Sequence, residues 1–264
     1  MGKSYWASYI SDKGTCRSNN QDAILLKTAR TPDGEVILAA IADGVGGLSQ
    51  GELASGTIIH DFADWFDNIL PTLNATSRME SIKAEIIMQL EHTNKKLINY
   101  SQVNKIKLGT TLALFFSYRK QYFILNIGDT RVYSFQQKKV VLMSKDHTYV
   151  QNEVDHGRMS MEEAIKSSRR NVLIQCVGIT YPLQPECKIG NWEDEQLVLI
   201  CSDGFCNQLS MQELERSFHI LEKCSYNCFQ NLPRELVEVV RKRGEKDNIS
   251  AIYIMNTKSR ESIG

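Results

Sequence analysis

The stretch 110–129, Thr-Thr-Leu-Ala-Leu-Phe-Phe-Ser-Tyr-Arg-Lys-Gln-Tyr-Phe-Ile-Leu-Asn-Ile-Gly-Asp, decides the fold. Two apolar runs, 110–118 and 121–127, flank a two-residue break, Arg119-Lys120. So short a connection predicts a hairpin, and a hairpin forces antiparallel pairing. The pattern repeats at once. Residues 131–135 and 139–143 read as strands around Gln136-Gln137-Lys138. Working outward, residues 36–42 form another buried-looking strand, as do 196–201, and 248–255 a last one. Between them, 51–69 carries Leu53, Ile58, Phe62, Trp65, Phe66 and Ile69 at helical spacing. A second helix is predicted over about 78–100, with Ile82, Ile86, Leu90 and Leu97 on one face; 211–218 and 233–243 are also helical. Residues 145–170 are polar and helical with little to bury. This order lacks the regular strand–helix alternation of a parallel sheet. It predicts an α+β protein of antiparallel sheets with helices on their outer faces.

The chain has 264 residues, 42% of them hydrophobic, which suffices for one well-packed core. Lys+Arg and Asp+Glu balance at 31 each, so no global field draws the chain to nucleic acid or an acidic membrane. The start, Met-Gly-Lys-Ser-Tyr-Trp, has no apolar core of a signal peptide, and no run reaches membrane-spanning length. Seven cysteines stand without CxxC pairs, and Cys224 and Cys228 lack a second pair to complete a zinc site. The expectation is a cytoplasmic protein with free thiols, one domain over 1–264, with no internal repeat or low-complexity linker.

Acids sit where the apolar runs stop. Residues 36–42 end in Asp43-Gly44, 197–202 end in Asp203-Gly204, and 123–127 end in Gly128-Asp129; Asp247 precedes the last strand. A carboxylate beside a buried strand requires a neutralising partner. Neither Asp43 nor Asp203 has an adjacent basic residue. A cluster of ionised oxygen donors is what Mg²⁺ or Mn²⁺ takes, and a glycine lets a backbone carbonyl approach the ion. A single Asp-Gly pair reads as a common turn dipeptide; four strand-end acids leave that reading and cation ligation level.

Seven segments, in order, carry a resemblance: 11–22 (with Arg17, Asn20, Gln21, Asp22), Ala42-Asp43-Gly44-Val45-Gly46-Gly47, Leu108-Gly109-Thr110-Thr111, Ile127-Gly128-Asp129-Thr130-Arg131, Lys145-Asp146-His147-Thr148, Ser202-Asp203-Gly204 and Asp247-Asn248-Ile249-Ser250. Over nearly its whole length the chain resembles the metal-dependent protein phosphatases of the PP2C (PPM) type. The resemblance implies a four-layer α-β-β-α sandwich, two antiparallel sheets flanked by helices, with a flap insertion at about 145–170. It implies metal-dependent hydrolysis of phosphoserine and phosphothreonine by a metal-bridging hydroxide, opposing Ser/Thr kinases. Carried over by position, Asp43 bridges two Mn²⁺ or Mg²⁺ ions, the Gly44 carbonyl binds one, and Asp203 and Asp247 complete the other. Asp129, with Asp203, matches a more weakly held third site. Arg17 matches the arginine that grips substrate phosphate, and Asp22 the acid that holds waters beside the ions. The implied partners are phosphoprotein substrates, a Ser/Thr kinase among them; a monomer is expected, without nucleic-acid or membrane partners.

Two departures qualify this. Gln21 stands where the family usually has Glu, which predicts weaker or altered metal affinity. Val45 stands where eukaryotic members often carry His, and an apolar residue there points to the bacterial branch. The five histidines show no Ser/His/Asp context, and His147 reads as a loop residue. The opposing readings are a phosphoprotein-binding module with a degenerate centre, supported by Gln21 alone, and a nucleotide-cradling loop at 44–47, which lacks the required Gly-Lys-Ser/Thr spacing.

Overall fold

The structure, a computed structural model, describes residues 4–45, 50–136, 138–223 and 225–257. Gly46, Gly47 and Cys224, singled out above, lie outside the described residues.

The hairpin forms as expected. Strand β4 (Leu112–Tyr118) turns at Arg119, whose φ is 60°, into β5 (Gln121–Ile127). β6 (Arg131–Gln136) and β7 (Lys139–Leu142) pair across the next short connection. β3 (Gly34–Asp43), β9 (Leu197–Cys201) and β10 (Ile249–Thr257) are the other strands expected. Three more complete two five-stranded antiparallel sheets: β1 (Ser4–Asp12), β2 (Asp22–Thr31) and β8 (Glu186–Asn191). The strand orders are β1-β10-β9-β6-β7 and β2-β3-β4-β5-β8.

Helices cover both outer faces. α1 (Gly51–Ile69) and α2 (Met79–Asn104) bury Ile58, Phe62, Phe66, Ile82, Ile86 and Leu90 against Val36, Leu38 and Ala40 of β3. On the other sheet, two helices after β9, α6 (Met211–Lys223) and α7 (Tyr226–Lys242), bury Phe218, Leu221, Phe229 and Val240 against Leu199 and Tyr253. Between the sheets lie Ile37, Ile41, Phe115 and Ile124, facing Val198, Ile200, Ile252 and Ile254. This is the four-layer sandwich, and it explains why the central strands read as unbroken apolar runs: both of their faces are buried.

Some boundaries differ from expectation. Leu53 is exposed, and the buried stripe of α1 instead takes in Ala54 and Ser55. α7 begins seven residues before Pro233, which lies inside the helix. Ser225 caps it by accepting from the Cys228 N–H at 3.4 Å, and Trp6 packs edge-on against Tyr226 and Phe229, so the first turns are held by tertiary contact. The polar insertion forms two short helices, α3 (Tyr149–Asp155) and α4 (Met161–Lys166), and the segment after them bridges Thr148 through Leu173 and Thr110 through Val177. The short α5 (Asp203–Cys206) follows β9 directly.

No helix among the described residues is long and apolar enough to cross a membrane. The six described cysteines, Cys16, Cys176, Cys187, Cys201, Cys206 and Cys228, are free thiols.

Candidate active site

Strand alternation places the acids. In β3, Val36, Leu38, Ala40 and Ala42 face the helices, while Ile37, Ala39 and Ile41 face the opposite sheet. Asp43 continues the second set, so its carboxylate points between the sheets. Its Cα partner across the β2–β3 ladder is Asp22, on the same face. In the other sheet Cys201 pairs with Ala251, so the end of β9 and the start of β10 coincide and bring Asp203 beside Asp247. Asp129 follows the end of β5 on the connection to β6. Antiparallel pairing therefore delivers all five acids to one end of the sandwich. There a cleft of about 480 Å³ is lined by Arg17, Asp43, Asp129, Asp203 and Asp247, by Val45 and Thr111, and by Asn171, Leu173, Ile174, Cys176, Ile179 and Thr180 of segment 171–180.

The backbone of this end is tightly built. Gly44 forms an antiparallel bridge with Thr110, flanked by Thr111 N–H to Asp43 O and Val45 N–H to Gly109 O, both 2.9 Å. The Gly44 carbonyl takes no part in either bond. A Cβ at Gly44 would lie 2.5 Å from the carbonyl carbon of Gly51, so only glycine fits between β3 and the start of α1. Likewise a Cβ at Gly204 would lie 2.2 Å from Asn248 O. The Thr111 hydroxyl accepts from Asp43 N–H at 3.0 Å and bonds the Thr130 hydroxyl at 2.6 Å, while the Thr110 hydroxyl donates to Asp43 O at 2.9 Å. Asn248, buried, donates to Lys13 O (2.8 Å) and Asn19 O (3.1 Å) and accepts from Gln21 N–H (2.9 Å), holding the segment that carries Arg17. His147 is a loop residue, as expected: its N–H donates to Gly128 O at 2.8 Å, and its ring Nδ1 accepts from Gly128 N–H at 3.3 Å.

The electrostatics call for a cation. Arg131 pairs with Asp146, Nη2 to Oδ2 at 2.6 Å. Arg17 forks onto Asp247, with Nε to Oδ1 at 2.9 Å and Nη2 to Oδ2 at 2.6 Å. That leaves Asp22, Asp43, Asp129 and Asp203 without an ion-pair partner among the described residues. Both oxygens of Asp22 and Oδ1 of Asp203 are buried and accept no hydrogen bond. Burial lifts the Asp22 carboxyl to about 7, with the Asp203 and Asp247 charges adding to it. Burial and Asp247 lift Asp203 to about 6. Asp43 and Asp129 stand well above the usual carboxylate range, through burial first and then the neighbouring acids. Among the described residues no three acid, thiol or imidazole groups are drawn onto one point as ligands of a single ion; the carboxylates stand apart as like charges do. Orphaned, buried, all-oxygen donors with surplus negative charge fit a hard divalent cation.

The predicted site residues fall as follows. Arg17, Asp43, Asp129, Asp203 and Asp247 line the cleft, with Asp22 and Gly44 directly against Asp43. Gln21 points its carboxamide Nε2 to Glu52 Oε2 at 3.0 Å, and its carbonyl accepts from Gly44 N–H (3.0 Å) and the Ser55 hydroxyl (2.6 Å). The sequence reading missed the lining segment, 171–180, because the polar signal it followed stops at residue 170. It also missed Asn248 as a staple.

A profile of the family described as Protein phosphatase 2C matches residues 15–241. The chain is similar to the serine/threonine phosphatase stp of Listeria welshimeri, 26% identical over 213 residues, covering 79% of this chain and 81% of that one. The fold is similar to the S. agalactiae serine/threonine phosphatase, with a TM-score of 0.82, 25% identity, and coverage of 97% and 100% of the two chains. It is also similar to the catalytic domain of the serine/threonine protein phosphatase PstP in complex with two manganese ions, with a TM-score of 0.75, 23% identity, and coverage of 97% and 100%.

Proposed function

The chain belongs to the protein phosphatase 2C family and is a protein serine/threonine phosphatase, and from that premise we propose that it hydrolyses phosphoserine and phosphothreonine in proteins with two divalent cations, Mn²⁺ or Mg²⁺, held in the cleft. The observation that carries the reading is the group of four carboxylates at the cleft, Asp22 buried and Asp43, Asp129 and Asp203 half-buried, without an ion-pair partner among the described residues. Asp43, the Gly44 carbonyl, Asp203 and Asp247 would hold the two ions, with Asp43 shared between them. Asp129 with Asp203 would hold a third more weakly. Such ions supply a water nucleophile at neutral pH and neutralise charge developing on the phosphate.

The chain's own groups do the rest. The Arg17 fork, which takes both oxygens of Asp247, has the geometry to take two oxygens of a phosphate monoester and orient it. Arg17 would be free to take phosphate once Asp247 served as a cation ligand instead of its partner. Asp22, beside Asp43 on the next strand with both oxygens buried and unpaired, would accept from water held beside the ions. The Thr110–Thr111–Thr130 hydroxyls fix the backbone of Asp43. Val45 leaves the leaving alkoxide to be protonated by water. In the cell such an enzyme would oppose a Ser/Thr kinase, the kinase itself among its substrates.

The test is phosphate release from a phosphothreonine peptide with Mn²⁺ titrated from zero, wild type beside Asp203→Asn. Metal-dependent release that Asp203→Asn abolishes is expected. No release at any Mn²⁺ or Mg²⁺ concentration, from folded protein, would overturn the reading.

A further inference from the structure

The cleft also takes lining from segment 171–180, where Leu173, Ile174 and Ile179 are apolar between the polar Asn171 and Thr180. Leu173 is half-buried; Ile174 is 44% exposed and Ile179 is 53% exposed. A lone exposed isoleucine on a surface calls for no explanation, but these side chains line the same cavity as Asp43, Asp203 and Arg17.

They are also held in place. Val177 and Thr110 exchange backbone bonds of 2.9 and 3.0 Å. Asn94, buried in α2, donates to Thr180 O at 2.9 Å and accepts from Gly178 N–H at 2.7 Å. The Thr180 hydroxyl accepts from Cys176 N–H at 3.0 Å, and Ile174 N–H donates to His147 O at 2.9 Å. Ile179 lies over Gly109, where even a Cβ would come within 2.7 Å of its Cδ1. A buried asparagine that holds both Gly178 and Thr180 fixes the backbone around Ile179, and the segment presents apolar side chains to solvent.

The cavity therefore has two chemistries a short distance apart. Taken as a cube, 480 Å³ is about 8 Å across, and an extended peptide advances about 3.3–3.6 Å per residue. When the phosphorylated residue is at Arg17 and the acids, the side chain one or two positions along lies against Leu173, Ile174 and Ile179. A charged side chain there would lose hydration without a partner, whereas an apolar one would be sheltered.

We infer that Leu173, Ile174 and Ile179 form an apolar subsite selecting phosphopeptides with a large aliphatic residue within two positions of the phosphoresidue. This rests on the phosphatase reading of the cleft. The test uses two labelled peptides bearing a non-hydrolysable phosphonate in place of phosphothreonine, one with Leu at all four flanking positions and one with Ala. Their binding to Mn²⁺-loaded protein is followed by fluorescence anisotropy. Sheltering about half of a leucine's extra methylenes gives an expected tenfold tighter binding of the Leu peptide. That ratio should fall to about twofold in Ile174→Ser and in Ile179→Ser, by the same reckoning. It should persist in Ile220→Ser, an exposed position on α6 away from the cleft. Equal affinity for the two peptides in the wild type, or binding of neither, overturns the inference. Turnover of p-nitrophenyl phosphate, measured in parallel, tests the phosphatase reading separately: a tenfold preference without turnover would remove the enzyme and leave the subsite.

Discussion

Replacing Arg17 with alanine is expected to tighten metal binding while lowering turnover. Arg17 engages both oxygens of Asp247, the acid proposed as a ligand, so a cation arriving at Asp247 must displace a guanidinium. The paired side chains are 37% and 32% exposed, and solvent screening at that exposure holds the pair to about 1 kcal/mol. Removing it should lower the Mn²⁺ dissociation constant about fivefold, and loss of a positive charge beside Asp43 and Asp203 acts in the same direction. The assay is isothermal titration of chelator-stripped protein with Mn²⁺ at pH 8, alongside phosphopeptide turnover. Arg17→Lys, which keeps the charge and loses the fork, should fall between. Because part of the effect is Coulombic, raising the salt should narrow the difference. An unchanged or weaker Mn²⁺ affinity in Arg17→Ala would refute the competition between guanidinium and cation, and with it the view that Arg17 is released to phosphate when the centre fills.

Three further outcomes are expected. In chelator-stripped protein, Asp22 at about 7 and Asp203 at about 6 lie above the usual aspartate value near 3.9, so folding takes up protons. Stability is then fully present below about pH 4 and is lost as pH rises from there through 6–7, by on the order of 4 kcal/mol between pH 5 and 8; denaturant melts at those two pH values should show this, with saturating Mn²⁺ reversing the trend. Gly44→Ala forces a Cβ onto the Gly51 backbone and should destabilise by about 3 kcal/mol in urea melts, displacing the start of α1; an unaffected melt would mean the two segments separate freely. Asn248→Ala strands Lys13 O, Asn19 O and Gln21 N–H, and should lower stability by about 3 kcal/mol and raise KM for phosphopeptide, since the segment bearing Arg17 loses its staple.

The central architecture was legible because its strands are buried on both faces and its turns are short: 110–129 reads as a hairpin in sequence and is one in space. Three of the four edge strands were not, β7 being the exception. β2 and β8 mix exposed and half-buried positions, and β1 begins the chain as Ser-Tyr-Trp-Ala-Ser-Tyr, without an apolar run. The start of α7 was hidden by Pro233, which resembles a first helical residue; the earlier turns depend on Trp6, a contact from the far end of the chain. The acids were visible as strand-end residues, but their convergence follows from register, Asp22 opposite Asp43 and Cys201 opposite Ala251, which only the ladders specify. The meaning of Gln21 also required the fold. Its carboxamide donates to Glu52, and a glutamate there would set two carboxylates 3.0 Å apart.

The two ends of the sandwich are closed by different means. At the end away from the cleft, Trp192 packs against Tyr5, Phe115 and Tyr122 and plugs the space between the sheets with rings. At the cleft end, Asp22, Asp43 and Asp129 arrive from one sheet and Asp203 and Asp247 from the other, and like charges face each other across the gap. A cation shared between them is therefore a clasp as well as a reagent. Held by the acids of both sheets, it would fasten the sandwich at the end that Trp192 does not reach, so its removal is expected to loosen the cleft end before the aromatic end.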